Sequence, residues 1–121
     1  MDTNHLANNF SYSIDPHQVN EIFQGKLSNS FSICHVNIRS LQKNFNQLSL
    51  LFEDTVEYKF DIIALSEVWS VSNKDLFSLN DYHLEVKCRE DGLRGGGVGA
   101  YIRSSVKYNL LNYSVIFAES L

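Results

Sequence analysis

A chain of 121 residues with 44% hydrophobic and 20% charged residues has the make-up of one small globular domain and is too short for two. Its net charge of −4 excludes a generic polycationic nucleic-acid binder. No apolar run approaches the roughly 20 residues that cross a bilayer, and Met1–His5 lacks the basic and apolar regions of a secretory leader. An intracellular, non-secreted protein is expected, and a nuclear location is compatible with this. Cys34 and Cys88 lie far apart in strand-like segments and read as reduced, buried thiols.

Charge is unevenly spread. Residues 1–86 hold 5 Lys/Arg against 11 Asp/Glu, whereas residues 87–121 hold 5 against 3. Lys87, Arg89, Arg94, Arg103 and Lys107 make the later excess, read either as a solvated edge or as a strip facing phosphate.

Residues 1–30 are polar and read as a flexible arm. One piece is helical in pattern: Asp15 can cap, Pro16 suits the first turn, and Val19, Ile22 and Phe23 make a small stripe. Phe31–Ile38 reads as a strand with two largely apolar faces, which suits a central position in a sheet. Ser40–Tyr58 reads as a helix, because Leu41, Phe45, Leu48, Phe52 and Val56 recur at spacings of four, three, four and four.

Asp61–Ser66 is a short apolar run that ends abruptly in Glu67, and it reads as a second strand, buried on both faces. Strand, helix and strand in about 36 residues form a βαβ unit, so the two strands are expected to be parallel. Their C-terminal ends, carrying Asn37 and Glu67, then lie on one rim of the sheet, the side where α/β proteins place ligands. Lys74–Phe77 suggests a short turn. Tyr82–Cys88, Val98–Arg103, Val106–Leu111 and Tyr113–Phe117 read as further strands.

One carboxylate and one amide oxygen on a shared rim are hard donors that suit Mg²⁺ or Mn²⁺, and Asn37 also precedes a helix N-terminus, where anions bind. A capping Asn and a solvated Glu are the plain alternatives. Gly95-x-Gly97-x-x-Ala100 matches a dinucleotide fingerprint literally, but a strand pattern follows it where the fingerprint requires a helix. No small-molecule cofactor is expected. His35 reads as a core histidine, Ser66 has no evident base, Trp69 reads as a packing residue, and no Cys/His spacing resembles a zinc site.

Three stretches in order, His35-Val-Asn-Ile-Arg-Ser-Leu41, Asp61-Ile-Ile-Ala-Leu-Ser-Glu-Val-Trp69 and Arg94-Gly-Gly-Gly-Val-Gly-Ala-Tyr101, closely resemble the start of the endonuclease/exonuclease/phosphatase superfamily. The nearest likeness is to the apurinic-site-type endonuclease of non-LTR (LINE-type) retrotransposons, over roughly residues 31–121. The resemblance implies a four-layered α/β sandwich, of which this chain is a partial version cut at its C-terminal side. It also implies Mg²⁺ (or Mn²⁺) dependence, DNA as partner and phosphodiester cleavage. Asn37 and Glu67 fall in the family's catalytic and metal-binding positions, and Arg39 and Arg94 are candidate substrate contacts.

Two departures stand out. Val68 replaces the usual Thr, and the later Tyr, Gly-Asp-x-Asn and Ser-Asp-His motifs are missing from these residues. The chain alone is therefore expected to turn over poorly. The alternatives are a non-catalytic remnant that binds nucleic acid or protein, and a fragment of a superfamily phosphatase or phosphodiesterase.

Overall fold

The computed structural model describes residues 15–23, 31–89 and 95–111. In chain order these form α1 (Pro16–Phe23), β1 (Ile33–Asn37), α2 (Leu41–Ser49), a π-helical continuation (Leu50–Thr55), β2 (Ile62–Ser66), a 3₁₀ turn (Lys74–Phe77), β3 (Tyr82–Lys87) and β4 (Val98–Arg103). The four strands make one open sheet in the order β1-β2-β4-β3. β1 and β2 are parallel, as the βαβ pattern requires, and β4 runs antiparallel to both β2 and β3.

One face of the sheet is packed against the helical layer, and the other is largely open, with Ile102 its one buried side chain among the described residues. On the packed face Ile63, Leu65, Tyr82, Leu84 and Tyr101 are buried against the helical layer, which contributes Leu41, Leu48, Leu51, Phe52 and Val56. The stripe expected from the spacing is therefore the core-facing stripe. The helix itself differs from expectation, because beyond Ser49 it widens to π geometry, closing with Val56 N–H donating to the Leu51 carbonyl at 2.7 Å. Two tyrosines cross the core with their hydroxyls satisfied: Tyr82 donates to the Phe60 carbonyl and Tyr101 to the Phe77 carbonyl, each at 2.6 Å. α1 docks on the same layer: Val19 is buried, and Asn20 donates to the Thr55 carbonyl and accepts from the Glu57 N–H.

The other face carries Ile33, His35 and Asn37 on β1, Ile62, Ala64 and Ser66 on β2, Val98, Ala100 and Ile102 on β4, and His83, Glu85 and Lys87 on β3. Ile33 is 59% exposed and Val98 41%. β1 was expected to be central, but among the described residues it is an edge strand with alternate side chains open to solvent. An apolar pair of faces in sequence reports what a strand can bury, not what covers it. β2 is correspondingly buried on one face and half-buried on the other, not buried on both. Val106–Leu111 is not a strand: a turn follows β4 and residues 107–111 run as irregular chain past β3 and β4. Tyr113–Phe117 and Arg94 lie outside the described residues. No described helix is long and apolar enough to cross a membrane.

Candidate functional site

The rim at the C-terminal ends of β1 and β2 is built by backbone hydrogen bonds that continue after both strands have ended. Asn37 stands in register with Ser66. The Ile38 N–H then donates to the Ser66 carbonyl (3.1 Å), Ser40 to Glu67 (2.9 Å) and Leu41 to Val68 (3.1 Å). On its other side the same segment is tied to the glycine loop, with Trp69 N–H donating to the Gly96 carbonyl (2.9 Å) and Val68 N–H to that of Gly97 (3.4 Å). The result is an arch, Glu67-Val68-Trp69, clamped between the β1–α2 turn and the loop that enters β4. Val68 is its keel, fully buried, while Glu67 and Trp69 are half-buried on either side of it. A valine serves that position as a core contact.

Local conformation is unusual here. Arg39 (φ 49°), Ser40 (φ 81°), Glu67 (φ 52°) and Trp69 (φ 59°) are all left-handed, and Gly95, Gly96 and Gly97 have φ of 89°, 66° and 84°. Such backbone costs on the order of 1–3 kcal/mol at each non-glycine residue and collects where geometry is imposed by function. Only one other described non-glycine residue, Asp81, shares it. Part of the compensation comes from Asn44, which is 2% exposed and donates its side-chain N–H groups to the Ile38 and Arg39 carbonyls at 2.9 Å each. Ser40 caps α2 by accepting from the Lys43 N–H at 3.1 Å.

The structure therefore brings Asn37 and Glu67 to the same rim on neighbouring parallel strands. Arg39 is exposed in the turn between β1 and α2, beside them. The later basic residues divide. Register carries the rim row from Asn37 through Ser66 and Val98 to Lys87, so Lys87 and the following Arg89 belong to the same margin of the sheet. Arg103 pairs with Tyr82 at the opposite end and donates to the Lys59 carbonyl. The glycine cluster runs into strand β4 and not into a helix, as its sequence context implied. His35 corrects its sequence reading: it is exposed on the open face, not in the core, and its Nε2 lies 3.0 Å from the Ser66 Oγ. Nothing in the local sequence announces that pair; it arises from the parallel register.

No family model matches this chain, and no curated protein or solved structure matches it. Chemistry has to be weighed on the donor set. Among the described residues no three His, Cys, Asp or Glu side chains cluster closely enough to enclose an ion. Asn37 and Glu67 offer an amide oxygen and a carboxylate on an accessible rim, which suits a hard cation that retains most of its water and not a zinc-type cage.

Elsewhere, burial pushes the Cys34 thiol up to about 12, and Cys34 packs against the core as an inert side chain. Glu85, on the open face of β3, accepts from the Tyr108 hydroxyl at 2.7 Å, which holds its carboxyl below the usual range, with Lys74 assisting.

Proposed function

We propose that this chain is the first part of a Mg²⁺- (or Mn²⁺-) dependent DNA endonuclease of the endonuclease/exonuclease/phosphatase type, in the manner of the LINE-type retrotransposon enzymes it resembles. The observation that carries the reading is the placing of Asn37 and Glu67 at the ends of adjacent parallel strands, on a strained rim held by hydrogen bonds from both sides. In the same reading the open face, with Ile33 and Val98 exposed, is the face on which the second sheet of a four-layered sandwich would pack.

In this mechanism Glu67 would hold the divalent ion through its carboxylate and Asn37 would hold the scissile phosphate in position through its amide. Arg39, exposed in the adjoining turn, would meet the flanking phosphates, with Lys87 and Arg89 on the far part of the same margin. A bound ion of this class supplies Lewis-acid polarisation of a phosphoryl oxygen. The arch fixes the Glu67 backbone, so only the side-chain torsions are left to order when an ion binds. These residues do not include the Gly-Asp-x-Asn and Ser-Asp-His motifs that the resemblance makes responsible for activating water and stabilising charge. The second reading is a nucleic-acid-binding remnant without turnover.

The test is divalent-dependent binding of a short DNA duplex to the 121-residue chain and to Glu67→Ala. Binding that strengthens with Mg²⁺ in the wild type and loses that dependence in the variant is expected. Any plasmid nicking should vanish in the variant too. Equal nicking by both proteins removes Glu67 from the chemistry, and binding indifferent to Mg²⁺ in both leaves only the remnant.

A further inference from the structure

The chain holds a single tryptophan, and its ring nitrogen is left without a partner. Trp69 as a whole is half-buried at the end of the arch, yet its Nε1 is closed off from solvent and meets no acceptor. Among the described residues it is the one buried side-chain nitrogen or oxygen so left. A buried donor that has given up water without gaining an acceptor costs free energy, so folded proteins keep few of them. Such a group at a ligand-facing rim points to an acceptor that arrives from outside.

The groups around Nε1 decide what that acceptor is. Gly95 lies against the indole: a Cβ built there would have Nε1 as its only neighbour within 4 Å, at 3.9 Å. No side chain at position 95 therefore stands between the ring nitrogen and the outside. The Gly95 and Gly96 N–H groups take no partner among the described residues. The Gly96 and Gly97 carbonyls, by contrast, are already engaged by the Trp69 and Val68 N–H groups. The acceptors of this loop are spent on the arch and its donors are not. Successive left-handed φ values at Gly95, Gly96 and Gly97 curl the loop, and successive backbone N–H groups in turns form concavities that bind anions. A site that offers only donors selects an anion. Lys87, in register with Val98 at the end of the loop, adds positive charge to the same margin.

We propose that the Trp69 indole N–H and the backbone N–H groups of Gly95 and Gly96 form an anion subsite that takes a phosphate group of DNA. It rests on the nuclease reading only for the source of the phosphate. The subsite lies beyond the ends of β2 and β4, and so off the sheet face on which a second sheet would pack. Its donors are an indole and two peptide groups, which carry their protons at every physiological pH, so binding needs no protonation step. Glycine has the backbone freedom to let the loop yield and admit a phosphate oxygen to Nε1. The contact is one of binding and register, since phosphate contacts position a duplex without reading its bases.

The experiment uses the full ¹⁵N-labelled chain with two probes, inorganic phosphate and a short DNA duplex, at low ionic strength in EDTA. One tryptophan gives one indole N–H resonance, so the assignment is unambiguous. Both probes should move that proton downfield, as a new bond to an anionic oxygen does, together with the Gly95 and Gly96 amides. Trp69→Phe, which keeps a ring and removes only the donor, should lose roughly tenfold in DNA affinity. Gly95→Ala, which puts a methyl beside Nε1, should lose a similar factor, with circular dichroism in urea confirming that both variants are folded. Glu67→Ala should keep the phosphate response, or strengthen it, because a nearby carboxylate has gone. An indole resonance unmoved by either probe, or Trp69→Phe binding as tightly as wild type, overturns the inference. A shift that appears only with Mg²⁺ and vanishes in Glu67→Ala is relayed from the ion, which overturns the subsite and leaves the nuclease reading standing. A shift with phosphate but none with DNA supports the anion site and overturns DNA as its source. A shift in EDTA that survives in Glu67→Ala, with DNA binding indifferent to Mg²⁺, supports the subsite while the nuclease reading fails.

Discussion

Replacing Gly97 by alanine should be the most damaging single-methyl change at the rim. A Cβ there would lie 2.8 Å from the Val68 Cγ2, with the Lys87 carbonyl and the Trp69 N–H nitrogen each at 3.4 Å. Val68 has no room to retreat, being fully buried and β-branched. Gly97 also has φ of 84°, and left-handed backbone costs a non-glycine residue about 1–2 kcal/mol. Overpacking adds roughly 1–3 kcal/mol, for a total of about 2–5 kcal/mol. Gly95 provides the control. Its φ is nearly the same at 89°, but a Cβ there meets nothing nearer than the Trp69 Nε1 at 3.9 Å, so Gly95→Ala bears only the backbone term. Urea denaturation followed by the fluorescence of Trp69, the single tryptophan, measures both. Gly97→Ala should lose roughly 1–3 kcal/mol more than Gly95→Ala. Equal losses would refute the packing of the glycine loop on the Val68 keel.

Three further outcomes follow from the same contacts. Asn44→Ala removes both donors to the Ile38 and Arg39 carbonyls and should cost about 2–4 kcal/mol in urea, with Asn44→Asp worse because a carboxylate would face two carbonyls; a loss under about 0.5 kcal/mol would show that the turn holds itself. Stability should be level up to about pH 9 and then fall toward pH 12, because burial raises the Cys34 thiol from 9.0 to about 12 and the Tyr82 hydroxyl from 10.0 to about 12. These groups stay protonated in the folded chain while the unfolded chain ionises, so the unfolded state binds fewer protons in that window. A urea midpoint unchanged between pH 8 and 11 would contradict their burial. Cys34 should likewise resist alkylation in the native chain at neutral pH and react at once in denaturant; fast native labelling would place it at the surface.

Much of the fold is legible in the sequence where one local pattern suffices. The stripe from Leu41 to Val56 and the alternation of Tyr82–Lys87 each identify an element and its core side, while the run from Asp61 to Ser66 identifies a strand but not which of its faces is buried. The parallel pairing of β1 with β2 follows from the length of the βαβ unit, and it alone puts Asn37 and Glu67 on one rim. What escapes the sequence depends on partners distant in the chain. β1 has two apolar faces yet lies at an edge, since composition does not say which neighbours arrive. His35 meets Ser66 only because the register sets them diagonally across two strands 31 residues apart. Asn44 falls outside the apolar stripe and reads as solvent-facing, though its amide is spent on the turn before its own helix. The left-handed Arg39, Ser40, Glu67 and Trp69 leave no trace in residue type, because none is a glycine or an asparagine.

Whether Asn37 and Glu67 serve a single ion is decided by paramagnetic Mn²⁺ added in small amounts to the ¹⁵N-labelled chain. The side-chain amide resonances of Asn37 should broaden strongly and early, ahead of the other asparagines, and that broadening should disappear in Glu67→Ala while Asn37→Ala weakens Mn²⁺ binding less than Glu67→Ala does. Broadening spread evenly over the acidic surface, or broadening at Asn37 that survives the loss of the Glu67 carboxylate, would mean that the two residues share a rim without sharing a metal.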